Sequence, residues 1–130
     1  MVVDASALVA ILLEEPEWEV FARTLLDHPA ARLSPVGYWE ASTRLHGLRG
    51  DAGVVDLDRL IDKLQVSIRP ATDQTARLAA DAQRAYGKRT RAGLNLGDCF
   101  AYALAKEIGA PLLYKGADFG RTDIRPALPA

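Results

Sequence analysis

Cysteine and histidine are nearly missing from this chain, and that scarcity removes several chemistries at once. Cys99 is the single cysteine, so no internal disulfide can form. It has no Cys or His neighbour at zinc-ligand spacing, and His28 and His46 each stand alone, which argues against both a zinc centre and a Cys-His nucleophile. No segment approaches the roughly 18 unbroken apolar residues that a membrane-spanning helix requires. Charge of one sign is also absent. The 16 basic and 17 acidic residues leave a formal net charge of -1, so no global field draws the chain onto nucleic acid, and any such contact must use a local patch. Met1 precedes a strand-like run and Asp4 almost directly, leaving no room for the charged and apolar regions of a secretory signal. A cytoplasmic protein without a membrane segment is expected. Internal repeats, low-complexity tracts and linkers are not evident.

What is present is ordinary globular material. Apolar residues make up 49% and charged residues 25% of the 130 residues, enough for one domain over residues 1-130 with a core that needs no structural metal. The pattern alternates short apolar strands with helices. Strand-like runs lie at Val2-Val3, Ala31-Leu33, Val66-Ile68 and Leu112-Tyr114. Helices are expected from Ala7 after Ser6 as N-cap, from Pro16, from about Val36 to Leu48, from Asp51 to Leu64, after Thr72, and through the stretch ending at Gly109. That alternation predicts an α/β fold with a short, mostly parallel central sheet flanked by helices.

The chain is organised around Asn95-Ala105, N-L-G-D-C-F-A-Y-A-L-A. A helix that is apolar on nearly every face belongs inside a protein, yet Asp98 lies in its first turn, where the helix dipole and free N-H groups favour a carboxylate. Asp98 is therefore a candidate metal ligand, or else the third residue of a capping box begun by Asn95. Asp4 follows the first strand, at the sheet edge where open α/β folds bind ligands, although a plain turn aspartate would look the same. Glu40 is an acid flanked by Val36, Tyr38, Trp39 and Ala41, with an ion pair to Arg44 one turn on as its unremarkable explanation. Asp118 sits just past the last strand, after Gly116, and repeats the placement of Asp4. Between Gly87 and Gly93 lies a basic loop with Lys88, Arg89 and Arg91, either solvated or able to hold phosphates beside the acids.

Four acids brought together require compensation, because two unit charges about 4 Å apart repel by roughly 4 kcal/mol at an effective dielectric near 20. Carboxylates without His or Cys favour hard cations, and Mg²⁺, with Mn²⁺ as substitute, suits phosphate chemistry in which a water is the nucleophile.

The segments V-V-D-A-S-A at 2-7, L-N-L-G-D-C-F-A-Y-A-L-A at 94-105 and L-L-Y-K-G-A-D-F-G-R-T-D-I at 112-124, with Glu40 in a helix between them, resemble a PIN domain of the VapC toxin family over essentially the whole chain. The resemblance implies a PIN-like fold and a metal-dependent endoribonuclease, the toxin of a pair silenced by a small VapB-type antitoxin. It also implies a homodimer and an RNA substrate. Asp4, Glu40, Asp98 and Asp118 match the family's acidic quartet and are the expected catalytic residues, with Asp4, Asp98 and Asp118 as metal ligands. Ser6 matches a hydroxyl at the site, while Thr122 and Asp123 match a trailing pair expected to support it from behind. Ala117 stands where the family commonly has a polar residue, so that side chain's contacts would be missing. Two other readings differ in what they require. An aspartyl-phosphate phosphatase would want an acid at position 6, where Ser6 stands, and an RNA-binding module without catalysis would be expected to have lost acids that are all present.

Overall fold

The computed structural model describes residues 1-129, and Ala130 at the end of the Pro-rich tail lies outside them. Four short strands, β1 (Val2-Val3), β2 (Arg32-Leu33), β3 (Ser67-Ile68) and β4 (Leu112-Leu113), form one sheet in the order β3-β2-β1-β4. All three pairings are parallel, with Val2 opposite both Arg32 and Leu112. The helices are α1 (Ala5-Leu12), α2 (Trp18-Asp27), α3 (Pro35-Arg49), α4 (Asp51-Lys63), α5 (Asp73-Tyr86) and α6 (Leu96-Ile108). No helix among the described residues is long and apolar enough to cross a membrane.

The period of two along a strand divides the core into two layers. Val3 and Leu113 face one apolar cluster with Leu8, Phe21, Leu25, Leu45 and Leu57, drawn from α1 to α4. Val2 and Leu112 face the opposite cluster, with Ala79 and Ala82 of α5 and the apolar residues of α6. The result is helices on both faces of a parallel sheet, which is why β1 and β4 read as unbroken apolar runs.

Local chemistry sets the helix starts. Ser34 caps α3, its hydroxyl accepting from the Val36 N-H at 3.1 Å with Pro35 in the first turn. Thr72 and Thr75 form a reciprocal capping box on α5, and Asn95 and Asp98 form another on α6. The start of α1 differs from the sequence expectation. Its N-cap is Asp4 rather than Ser6, because the Asp4 carboxylate accepts from the Ser6 N-H at 3.0 Å and so draws the helix back to Ala5. The second helix likewise starts later than Pro16, at Trp18, after Glu17 takes a left-handed conformation.

Candidate active site

Asp4 is placed by β1 and committed by α1. Its backbone N-H donates to the Leu113 carbonyl at 2.8 Å, extending the sheet to the residue itself. One carboxylate oxygen, Oδ2, accepts from the Ser6 N-H and, at 2.6 Å, from the Ser6 hydroxyl. Ser6 Oγ in turn accepts from the Lys115 N-H at 2.9 Å, tying the loop after β4 to the start of α1. The other oxygen, Oδ1, is buried and is the one such side-chain atom among the described residues with no hydrogen-bond partner. Leaving a buried acceptor unpaired costs on the order of 1-3 kcal/mol, more when it is charged, so this atom marks a place where the fold is incomplete on its own.

Glu40 arrives from the other side. Helix α3 packs against both α1 and α6, which carries Glu40 over the sheet edge until its carboxylate lies against Gly97, next to Asp98. The expected alternative partner is not used: among the described residues, Glu40 forms no ion pair with Arg44. Asp98 forms the capping box and also lines the cavity shared with Asp4 and Glu40. Its Oδ2 accepts from the Asn95 N-H at 3.0 Å, while its own N-H donates to Asn95 Oδ1 at 2.8 Å. A cavity of about 370 Å³ is lined by Asp4, Ser6, Glu40 and Asp98, with Trp39, Arg44 and Asn95 around them.

Burial and mutual repulsion shift these acids together. The Asp4 carboxyl is pushed up to about 6, mainly by burial and further by Asp98, against the lowering effect of the Ser6 hydroxyl. Glu40 is pushed up to about 7 by burial, then by Asp4 and Asp98. Asp98 is also raised, by burial and by the nearby Asp118, with the Asn95 N-H and Lys88 opposing. The helix terminus favours the ionised form of Asp98, and desolvation works against it.

Asp118 stands at the rim. It is exposed and does not line the cavity, yet its charge is felt by Asp98. The turn carrying it is fixed from behind: the Thr122 hydroxyl donates to the Phe119 carbonyl at 2.7 Å and accepts from the Ile124 N-H at 3.1 Å. Asp123 accepts from the Tyr102 hydroxyl and from Lys106 Nζ at 2.8 Å, fastening the segment to α6 away from the cavity. Lys88, Arg89 and Arg91 are exposed. The Arg91 carbonyl accepts from Arg121 at 3.2 Å, joining the basic loop to the Asp118 turn.

As placed, these groups do not close into a ready-made cage: among the described residues no three His, Cys, Asp or Glu are disposed to hold a metal ion by themselves. The donor set still fits a hard divalent cation. Mg²⁺ is commonly held by only one or two carboxylates, with water and substrate phosphate completing its shell. Asp4 offers an unpaired buried oxygen, and a cation would relieve the repulsion that raises all three acids. Sequence reasoning missed Trp39, Thr43 and Arg44 as cavity residues. The i+3 and i+4 spacing of Thr43 and Arg44 from Glu40 puts those two on neighbouring surface of α3 and could have found them, whereas Trp39, directly before Glu40, had no such signal.

Comparison with known proteins identifies the family. A family model described as PIN domain matches residues 1-125. The chain is 43% identical over 125 residues to Ribonuclease VapC of Mycolicibacterium smegmatis, covering 95% of this chain and 97% of that protein. The chain belongs to the PIN-domain family. Its relatives within it are VapC ribonucleases: Ribonuclease VapC28 of Mycobacterium tuberculosis is 40% identical over 130 residues, covering 98% of each chain. The fold is also that of the solved Mycobacterium tuberculosis VapC20, described as a Sarcin-Ricin loop cleaving toxin, with a TM-score of 0.75 over 94% of each chain at 15% identity.

Proposed function

We propose that this PIN-domain protein is a metal-dependent endoribonuclease, the toxin of a VapBC-type toxin-antitoxin pair, with Asp4, Glu40, Asp98 and Asp118 as its catalytic residues. The observation that carries this reading is the buried, unpaired oxygen of Asp4 in a cavity shared with Glu40 and Asp98, in a chain whose relatives are named as ribonucleases of the VapC family.

Asp4 and Asp98 would hold Mg²⁺, or Mn²⁺ in its place, with Asp118 contributing from the rim. When bound, such a cation supplies charge neutralisation at phosphate oxygens and acidifies water. The chain's own residues do the rest. Asp4 is locked by Ser6 and Asp98 by Asn95, so neither carboxylate must be reorganised when substrate enters. Glu40, pushed up to about 7 in the metal-free protein, can take a proton from the attacking water as its oxygen bonds to phosphorus and the bond to the leaving nucleotide's oxygen breaks, that oxygen taking up a proton from solvent. Lys88, Arg89 and Arg91 would hold the flanking phosphates, offsetting the acidic charge that otherwise repels RNA. Thr122 and Asp123 support the Asp118 turn.

A VapB-type antitoxin is the proposed inhibitor. Trp39 at the cavity and Leu96 beside it are 59% and 65% exposed, which suits an amphipathic segment that covers the acids with a basic side chain. A second copy of the chain is a further proposed partner, as the family resemblance implies. A toxin acting on RNA in this way works in the cytoplasm.

Brief induction in cells, followed by sequencing of RNA 5′ ends, tests the reading. Discrete new ends that appear with the native chain and not with Asp98→Asn support it. The same ends from both proteins, or none from either while growth still arrests, would exclude this activity.

A further inference from the structure

Gly97 is buried in the first turn of α6, and glycine is a poorer helix former than alanine. Its backbone does not require glycine, since it is absent from the positive-φ residues. The reason lies across the interface. A Cβ at Gly97 would fall far inside van der Waals contact with both carboxylate oxygens and the carboxyl carbon of Glu40, and these three atoms of Glu40 are its nearest neighbours from outside the helix's own turns. No protein hydrogen bond or ion pair among the described residues holds the Glu40 carboxylate instead.

We propose that Gly97 is a positioning residue, and that its missing side chain forms the seat against which the Glu40 carboxylate is set beside Asp98 and Asp4. The inference rests on the catalytic reading of Glu40. Shape does here what a hydrogen bond does for Asp4 and Asp98: Ser6 orients the first, Asn95 the second, and the bare backbone of Gly97 the third. An added methyl would displace the far end of a flexible side chain rather than backbone, so the lesion falls on the position of Glu40 and leaves the fold in place.

The test uses the purified toxin freed of antitoxin, with Mn²⁺ and a structured RNA. Gly97→Ala is expected to keep the native circular-dichroism spectrum and a melting temperature equal to or above that of the native chain. Its kcat is expected to fall about 10- to 100-fold, the usual range for residues that orient a site from behind, with KM for RNA little changed. Glu40→Gln should lower kcat comparably, and G97A/E40Q should be scarcely worse than E40Q, because both changes act on one group. Native kcat in G97A beside an impaired E40Q overturns the seat while leaving Glu40 catalytic. Multiplying losses in the double variant overturn it too, since Gly97 would then act elsewhere. Native kcat in E40Q removes the reading of Glu40 and the seat with it. If G97A fails to fold, G97A/E40A decides: recovery to the melting temperature of E40A supports the clash with Glu40, and persistent unfolding overturns it.

Discussion

Removing divalent metal and raising the pH should destabilise this protein in a way traceable to Asp4. Its carboxyl rises from 3.8 to about 6 on folding, chiefly because it is buried. The folded state therefore holds a proton that the unfolded chain has released, and stability present below pH 3.8 is lost progressively as pH rises through about 6. At about 1.4 kcal/mol per pH unit, the shift corresponds to about 3 kcal/mol. For a chain of this size that is about 10 °C in Tm, at roughly 3-4 °C per kcal/mol. Glu40 adds in the same direction, between 4.5 and about 7, though its half-buried carboxylate is partly screened by solvent. Asp123 is shifted down by Lys106 and Tyr102, so its contribution is lost only as pH falls below this window. Thermal melts in chelator from pH 4.5 to 7.5 should thus show falling stability with rising pH, and Asp4→Asn should flatten the slope. The level of D4N is less informative than its slope, because an amide in place of Oδ1 buries an unpaired donor at a cost of roughly 1-3 kcal/mol at every pH. Mg²⁺ or Mn²⁺ should reverse the trend by binding the ionised acids. Metal-free stability that is flat or rising across the window, or an equal slope in D4N, would refute the account of a buried and repelled carboxylate.

Two further outcomes follow from the same geometry. Asp98→Asn keeps an oxygen that can accept from the Asn95 N-H, so its metal-free Tm should stay level or rise while the gain on adding Mn²⁺ shrinks; a loss of several degrees in chelator would show that charge, not shape, serves the cap. Neutralising Lys88, Arg89 and Arg91 together should weaken RNA binding and lower the slope of log K against log salt by up to about 2-3, at roughly 0.7-0.9 per lost phosphate contact. An unchanged slope would mean that the loop is only solvated.

Much of this was legible in the sequence because it is locally encoded. The β1 and β4 runs, the caps at Thr72 and Asn95 and the stop at Gly109 each depend on residues a few positions apart, and the strand ends bearing Asp4 and Asp118 follow from them. What was not legible depends on how α3 crosses α6. Glu40 gave only the signal of an acid among apolar neighbours, and nothing in its vicinity names Gly97 as the surface it meets. A glycine inside a helix was the one available sign of a close approach. Asp4 was read as a strand-end acid and Ser6 as the cap, whereas the two roles meet in Asp4, whose carboxylate caps α1 with one oxygen and leaves the other bare. The rise in the Asp98 carboxyl was also hidden, because desolvation by the surrounding fold has no local signature.

Single-turnover cleavage of a structured RNA by the purified toxin, freed of antitoxin, bears most directly on the claim that these acids form a metal-dependent nuclease centre. Cleavage should require Mg²⁺ or Mn²⁺, stop in chelator, return when metal is restored, and be lost in well-folded Asp98→Asn. Cutting that persists in chelator, or that the Asp98→Asn protein carries out at the native rate, would contradict it.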